Sequence, residues 1–160
     1  MGTNDAREAV DRLRKMLKGI RSAMLTTQEP DGCLRSRPMA TQEVAEDGSL
    51  WFFTGRSTSK VGEIQHHQEV NLAYVDEDDS RFVSVSGRAE LVDDRKKMEA
   101  LWSPRFKAWF PDGLEDPDLV LLRVQAESVE FWDSASSRLV QLAGYAKVAV
   151  TGELELPPQH

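Results

Sequence analysis

With 160 residues, 40% of them hydrophobic and 29% charged, the chain has the length and composition of one globular domain with its own core, which excludes disorder throughout. A net charge of −7 without any dense run of Lys and Arg argues against nucleic acid as a partner, and a single cysteine, Cys33, excludes an internal disulfide framework and a cysteine zinc cluster. No window approaches the ~18 apolar residues of a membrane span, and the charged stretch Met1–Lys18 lacks the apolar centre of a signal peptide, so a cytoplasmic protein with no membrane partner is expected.

Asn4 or Asp5 is placed to cap a first helix that carries Val10, Leu13, Leu17 and Ile20 on one stripe, and Gly19 suits its end. Ala23–Thr27 reads as a short strand. The turn Glu29-Pro30-Asp31-Gly32 follows and makes Cys33 a loop thiol. Leu34–Gln42 is a second strand, in which Pro38 predicts an edge or a bulge. After the turn Asp47-Gly48, Leu50–Thr54 is a buried strand, and Gly55-Arg56-Ser57 leads into a short helix over Ser59–His67 with Val61 and Ile64 inward. Val70–Val75 is a further strand, Asp76–Asp79 an acidic loop, and Arg81–Val92 a long alternating strand kinked at Gly87.

Asp93 is placed to cap a helix whose Met98, Leu101, Trp102, Phe106, Trp109 and Phe110 follow helical spacing, with Pro104 bending or splitting it. Leu119–Val124 and Ser128–Asp133 read as two strands and Ala146–Thr151 as another. The tail Leu154–His160, with Pro157-Pro158, reads as flexible. No repeat or linker divides the chain, so one domain over residues 1–153 is expected. Strands that are not regularly separated by helices point to a mainly β fold, a small antiparallel barrel with peripheral helices, and away from a doubly wound parallel sheet.

Three features carry chemistry. Thr54-Gly55-Arg56-Ser57-Thr58-Ser59-Lys60 leaves a buried strand and opens a helix, where hydroxyls, backbone amides and a lysine suit a phosphate; a plain Ser/Thr-capped helix with a solvated lysine has the same pattern. Arg35 and Arg37 fall on one face of their strand, and one of them could reach the same anion, or both balance the acidic surface. Trp132, at a strand end with Arg138 downstream, could cover a flat ligand or belong to the core or to an interface. The aromatic stripe Trp102, Phe106, Trp109 and Phe110 reads as core. His66 and His67 point apart on a helix, so no metal site is expected, and no histidine accompanies a nucleophilic serine.

Taken in order, these features resemble the pyridoxamine 5′-phosphate oxidase-like flavoproteins, the FMN-binding split barrels, and more closely their general stress protein 26-like branch. The oxidases carry Arg-x-Val-Leu-Leu-Lys, then aromatic-Tyr-Thr, then Ser-Arg-Lys entering a helix. This chain has Arg37-Pro38-Met39-Ala40-Thr41-Gln42, then Phe52-Phe53-Thr54, then Thr58-Ser59-Lys60. Phe131-Trp132 followed by Arg138-Leu139 keeps the same spacing, and the stretch Trp102–Asp118 looks like the stress-protein branch. The resemblance implies that Arg37 and Lys60 hold the phosphate of FMN (or FAD) with Thr58 and Ser59. Backbone at Met39 and Ala40 would then line the flavin ring with Phe53 and Thr54 beside it, Gln42 would be a further cofactor-binding position, and Trp132 would arrive from the second subunit of a homodimer. Gln42 replaces a lysine and Ser59 an arginine of the oxidases, so the phosphate grip carries two fewer charges, and Val140 replaces a histidine, which argues against pyridoxamine phosphate as substrate. The resemblance leaves open a flavin-dependent oxidoreductase of unknown substrate, a non-catalytic flavin reservoir or sensor, or a related barrel for deazaflavin F420 or haem.

Overall fold

The computed structural model describes residues 2–41, 44–133, 136–143, 146–148 and 153–155. The order is α1 (Gly2–Leu17), β1 (Ser22–Gln28), β2 (Leu34–Ala40), β3 (Ser49–Gly55), α2 (Ser59–His66), β4 (Glu69–Asp76), β5 (Arg81–Val92), α3 (Arg95–Leu101), two short 3₁₀ segments (Pro104–Ala108 and Gly113–Glu115), β6 (Leu119–Asp133), β7 (Ser136–Ala143), β8 (Ala146–Val148) and β9 (Glu153–Glu155). The fold is mainly β, as expected. Every strand pairing among the described residues is antiparallel.

The strands run β2-β1-β4-β5-β6-β7-β8, with β3 joined to the first half of β6 and β9 to β7. β6 therefore has β5 along one edge. Its other edge meets β3 over Leu119–Gln125 and β7 over Ser128–Asp133. β2 is an edge strand, which accounts for the tolerance of Pro38, since proline donates no ladder hydrogen bond. The open side between β2 and β3, with α2 following β3, is where the candidate site lies.

Alternation on β1, β4, β5 and β6 turns Leu25, Leu72, Val83, Val85, Val124 and Phe131 inward, and α1 covers them with Val10, Leu13 and Leu17. The α1 stripe is as the spacing predicts. The helix starts at Gly2, though, so Asn4 and Asp5 lie within it rather than capping it. Gly19, at φ +85°, takes the left-handed conformation that stops the helix cheaply. A second cluster forms on the other side of β3 and β6 from Phe53, Met98, Phe106, Leu119 and Leu121.

Further expectations change. The two strands at 119–124 and 128–133 are one, because the β5–β6 register slips between Ser86 and Gly87 while Glu127 is left without a partner. The buried series Leu122, Val124, Ala126 accordingly resumes out of phase at Val129 and Phe131, and that phase change imitates a break. The cap of α3 is Asp94, whose side chain accepts from Lys97 N at 3.2 Å, while Asp93 pairs with Arg56 at 2.9 Å. α3 ends at Leu101, and Pro104 starts a separate 3₁₀ segment, so Trp109 falls off the expected core stripe and is 54% exposed. Glu153–Glu155 pairs with Ser136–Arg138, and residues 156–160 of the expected tail, with 149–151 of the expected last strand, lie outside the described residues.

The kink expected at Gly87 has a tight cause. A Cβ there would sit 2.2 Å from the Gln125 carbonyl oxygen, inside any permitted contact. Gly87→Ala should therefore push β5 from β6 and cost about 3 kcal/mol, read as a lowered urea midpoint at unchanged slope.

Candidate functional site

β2, the end of β3 and the first turn of α2 meet at the open side of the barrel. Thr54, on buried β3, offers its hydroxyl to Lys60 six residues on, and Lys60 Nζ donates to Thr54 Oγ1 at 2.7 Å. The loop between them is tied down by Asp118, which accepts from Ser57 N at 3.0 Å and Ser57 Oγ at 2.9 Å. The Thr58 hydroxyl turns back to donate to the Gly55 carbonyl at 2.8 Å, so α2 opens without a side-chain cap. Burial, and after it the charge of Arg37, hold the Lys60 pKa below its ordinary value. An anion arriving there would offset both effects by stabilising the charged ammonium.

Arg37 reaches the same end, already engaged. Its Nη2 lies 3.0 Å from Glu63 Oε1 on α2, and its Nη1 donates to Thr27 Oγ1 at 2.7 Å. Thr27 Oγ1 in turn donates to Glu63 Oε1 at 2.6 Å. Thr27 and Glu63 are both buried. Arg35, on the same strand face, lies at the exposed rim, 3.5 Å from Ser59 Oγ and 3.9 Å from Glu29.

The Thr27 hydroxyl, working against burial and helped by Arg37, holds the Glu63 carboxyl below the usual glutamate range. A carboxylate depressed in the folded state contributes stability that is complete above its unfolded value and is lost as pH falls through the folded one. Glu63→Gln should therefore flatten the acid limb of stability below about pH 4.5, measured as urea midpoint against pH.

Beside the cations a slot of about 70 Å³ is lined by Pro38, Met39, Ala40, Phe53, Lys60, Phe106, Trp109 and Phe110. Phe53 meets Trp102 edge-on at 5.3 Å and Phe106 at 5.4 Å, so its wall is a fixed aromatic cluster. A wider opening of about 700 Å³ lies beyond Thr41, bordered by Arg14, Lys18, Arg21 and Arg105, and among the described residues none of the predicted ones lines it.

The predicted residues thus gather in two adjoining groups. Arg37, Thr54, Thr58, Ser59 and Lys60 surround the start of α2, and Met39, Ala40 and Phe53 share the slot with Lys60. Trp132 is apart from them on the outward face of β6, in register with Phe82 on β5. Gln42 and the side chain of Arg138 lie outside the described residues. Sequence reasoning missed Thr27 and Glu63, and it assigned Phe106 and Phe110 to core without the slot they line.

A family model described as "Pyridoxamine 5'-phosphate oxidase like" matches residues 8–155. The chain is 26% identical over 156 residues to Protein bli-3 of Neurospora crassa, covering 91% of this chain and 75% of that protein. It is 29% identical over 92 residues to general stress protein 26 of Bacillus subtilis, covering 56% of this chain and 65% of that protein. Among solved structures, the general stress FMN/FAD binding protein of Xanthomonas citri is similar over 97% of this chain and 99% of its own, with 25% identity and a TM-score of 0.66.

Proposed function

Because this chain belongs to the pyridoxamine 5'-phosphate oxidase-like family, we propose that it binds a phosphorylated flavin, FMN first, at the start of α2 and over the adjoining aromatic slot. The observation that carries this reading is the Lys60–Thr54 contact at 2.7 Å, which holds a partly desolvated cation in the lining of a slot walled by Phe53, Phe106 and Phe110. A cation beside apolar, aromatic walls suits a flat ring bearing an anionic tail. Lys60 and Arg37 would hold the phosphate with Thr58 and Ser59, and backbone at Met39 and Ala40 would border the ring. The name of the Xanthomonas citri relative supports a flavin and leaves FMN and FAD both open.

The slot encloses about 70 Å³, so a tricyclic ring would lie across its mouth and need covering from outside. On the outward sheet face Val75, Phe82 and Met24 are 50%, 42% and 42% exposed, with Trp132 beside Phe82. Such an apolar row suits a second copy of the chain. The protein would then be a homodimer with the flavin near the interface and Trp132 contributed across it.

A bound flavin supplies electron and hydride transfer; the chain's own residues bind, orient and shield it. Among the described residues, Lys60 is the sole ionisable group lining the slot. Binding and shielding of the flavin serve a reservoir as well as an oxidoreductase. The purified protein, loaded with FMN and freed of excess, should absorb near ~450 nm and release FMN on denaturation. A colourless protein after loading overturns the proposal, and NADH or NADPH consumption by the loaded protein separates catalyst from carrier.

A further inference from the structure

The cluster at the start of α2 carries its own counter-charge. Glu63 is 6% exposed, and Arg37, Thr27 and Glu63 close a ring of hydrogen bonds at 2.7, 2.6 and 3.0 Å. Every bond in the ring has a donor: Arg37 gives two, the Thr27 hydroxyl takes one and gives one, and a single Glu63 oxygen accepts two. Arg37 spends part of its five-donor fork on the ring and keeps the remainder for a ligand. The guanidinium is thus fixed before any anion arrives, which lowers the ordering cost of binding.

The same carboxylate opposes a phosphate. Arg37 and Lys60, both half-buried, bring two positive charges and the buried Glu63 removes one, so the trio carries +1. Arg35 stands at the rim with its side chain 56% exposed and Glu29 3.9 Å away, where water screens it. A singly charged phosphate balances the trio, whereas a doubly charged monoester overshoots it by one.

We propose that Glu63 is a positioning and specificity-determining residue of the anion site: it holds the Arg37 fork and, by its charge, favours a singly charged phosphate over a dianion. On the flavin reading, on which this assignment of the natural ligand rests, Glu63 narrows the advantage of the FMN monoester over the diester-type phosphates of FAD. Glu63→Gln keeps an oxygen for Thr27 and Arg37 and deletes the repulsion. Thr27→Val cuts the ring and leaves the charge unchanged. The two variants should therefore move affinity in opposite directions.

The test is titration calorimetry of the parent and both variants at about pH 8.5, well above the second pKa near 6 of a phosphate monoester and above that of inorganic phosphate as well, with inorganic phosphate, FMN, FAD and riboflavin as probes. Glu63→Gln should tighten inorganic phosphate and FMN roughly tenfold, tighten FAD less and leave riboflavin unchanged. Thr27→Val should weaken phosphate and FMN severalfold. A gain of affinity is a signature that mere loss of structure does not produce. Melting temperatures establish that each variant is folded. Weakening by both variants, or no response of phosphate and FMN to Glu63→Gln, overturns the proposal. If phosphate responds as expected and no flavin binds the parent, the Glu63 assignment stands and the flavin reading fails.

Discussion

An Arg37→Ala, Lys60→Ala double variant should bind FMN roughly 10²–10⁴-fold more weakly than the parent, since each charge-assisted hydrogen bond contributes about 1.5–3 kcal/mol. Riboflavin, which has no phosphate, should lose little. That contrast assigns the loss to the anion site and not to the ring. Lys60 carries the cleaner half of the effect: its ammonium is already partly desolvated and spends one contact on Thr54, so removing it spares the fold. Arg37 is different. Its removal leaves Glu63 buried beside Thr27 without its cation, which should also lower stability by about 3 kcal/mol. Fluorescence titration of each single variant, with urea unfolding alongside, separates the two consequences. Equal losses for FMN and riboflavin would place the phosphate elsewhere.

Phe106→Ala should lower unfolding free energy by about 3–5 kcal/mol, the range for deleting a fully buried aromatic ring. Phe106 is 1% exposed, and its ring touches Phe53 at 5.4 Å and Trp102 at 5.8 Å, with the Arg105 guanidinium 4.5 Å over it. It belongs to the smaller of the two cores and also lines the slot, so the void would open where a flavin ring is proposed to rest. Flavin affinity should fall together with the urea midpoint. Phe106→Leu, which keeps most of the volume, should recover much of both. A normal midpoint for Phe106→Ala would mean that the second cluster contributes little to holding α3 and the following turn against β3.

The meeting of Arg37, Thr54 and Lys60 was legible in the sequence because each lies on a short element whose neighbours fix its direction. Arg37 follows strand alternation, and Lys60 begins a helix one loop after Thr54. Glu63 was not legible. A carboxylate on a short helix reads as solvated, and its burial depends on Thr27 and Arg37, which are 36 and 26 residues away on strands with no local signal toward α2. The aromatic stripe was half legible. Helical spacing brought Met98, Trp102 and Phe106 to one cluster, yet Pro104 restarts the chain as a 3₁₀ segment and sends Trp109 outward. On β6 the bulge at Glu127 shifted the alternation and hid a continuous strand. Trp132 lies with Val75 and Phe82 on an outward face. No pattern within one chain says which site such a face would complete in a second copy.

The central claim is that the start of α2 grips a phosphate attached to a flavin. The most direct measurement compares FMN with riboflavin on the parent protein by quenching of flavin fluorescence. A phosphate held by Arg37 and Lys60 predicts tighter binding of FMN by about 10²-fold or more. Equal affinity for the two flavins, or no quenching by either, would contradict it.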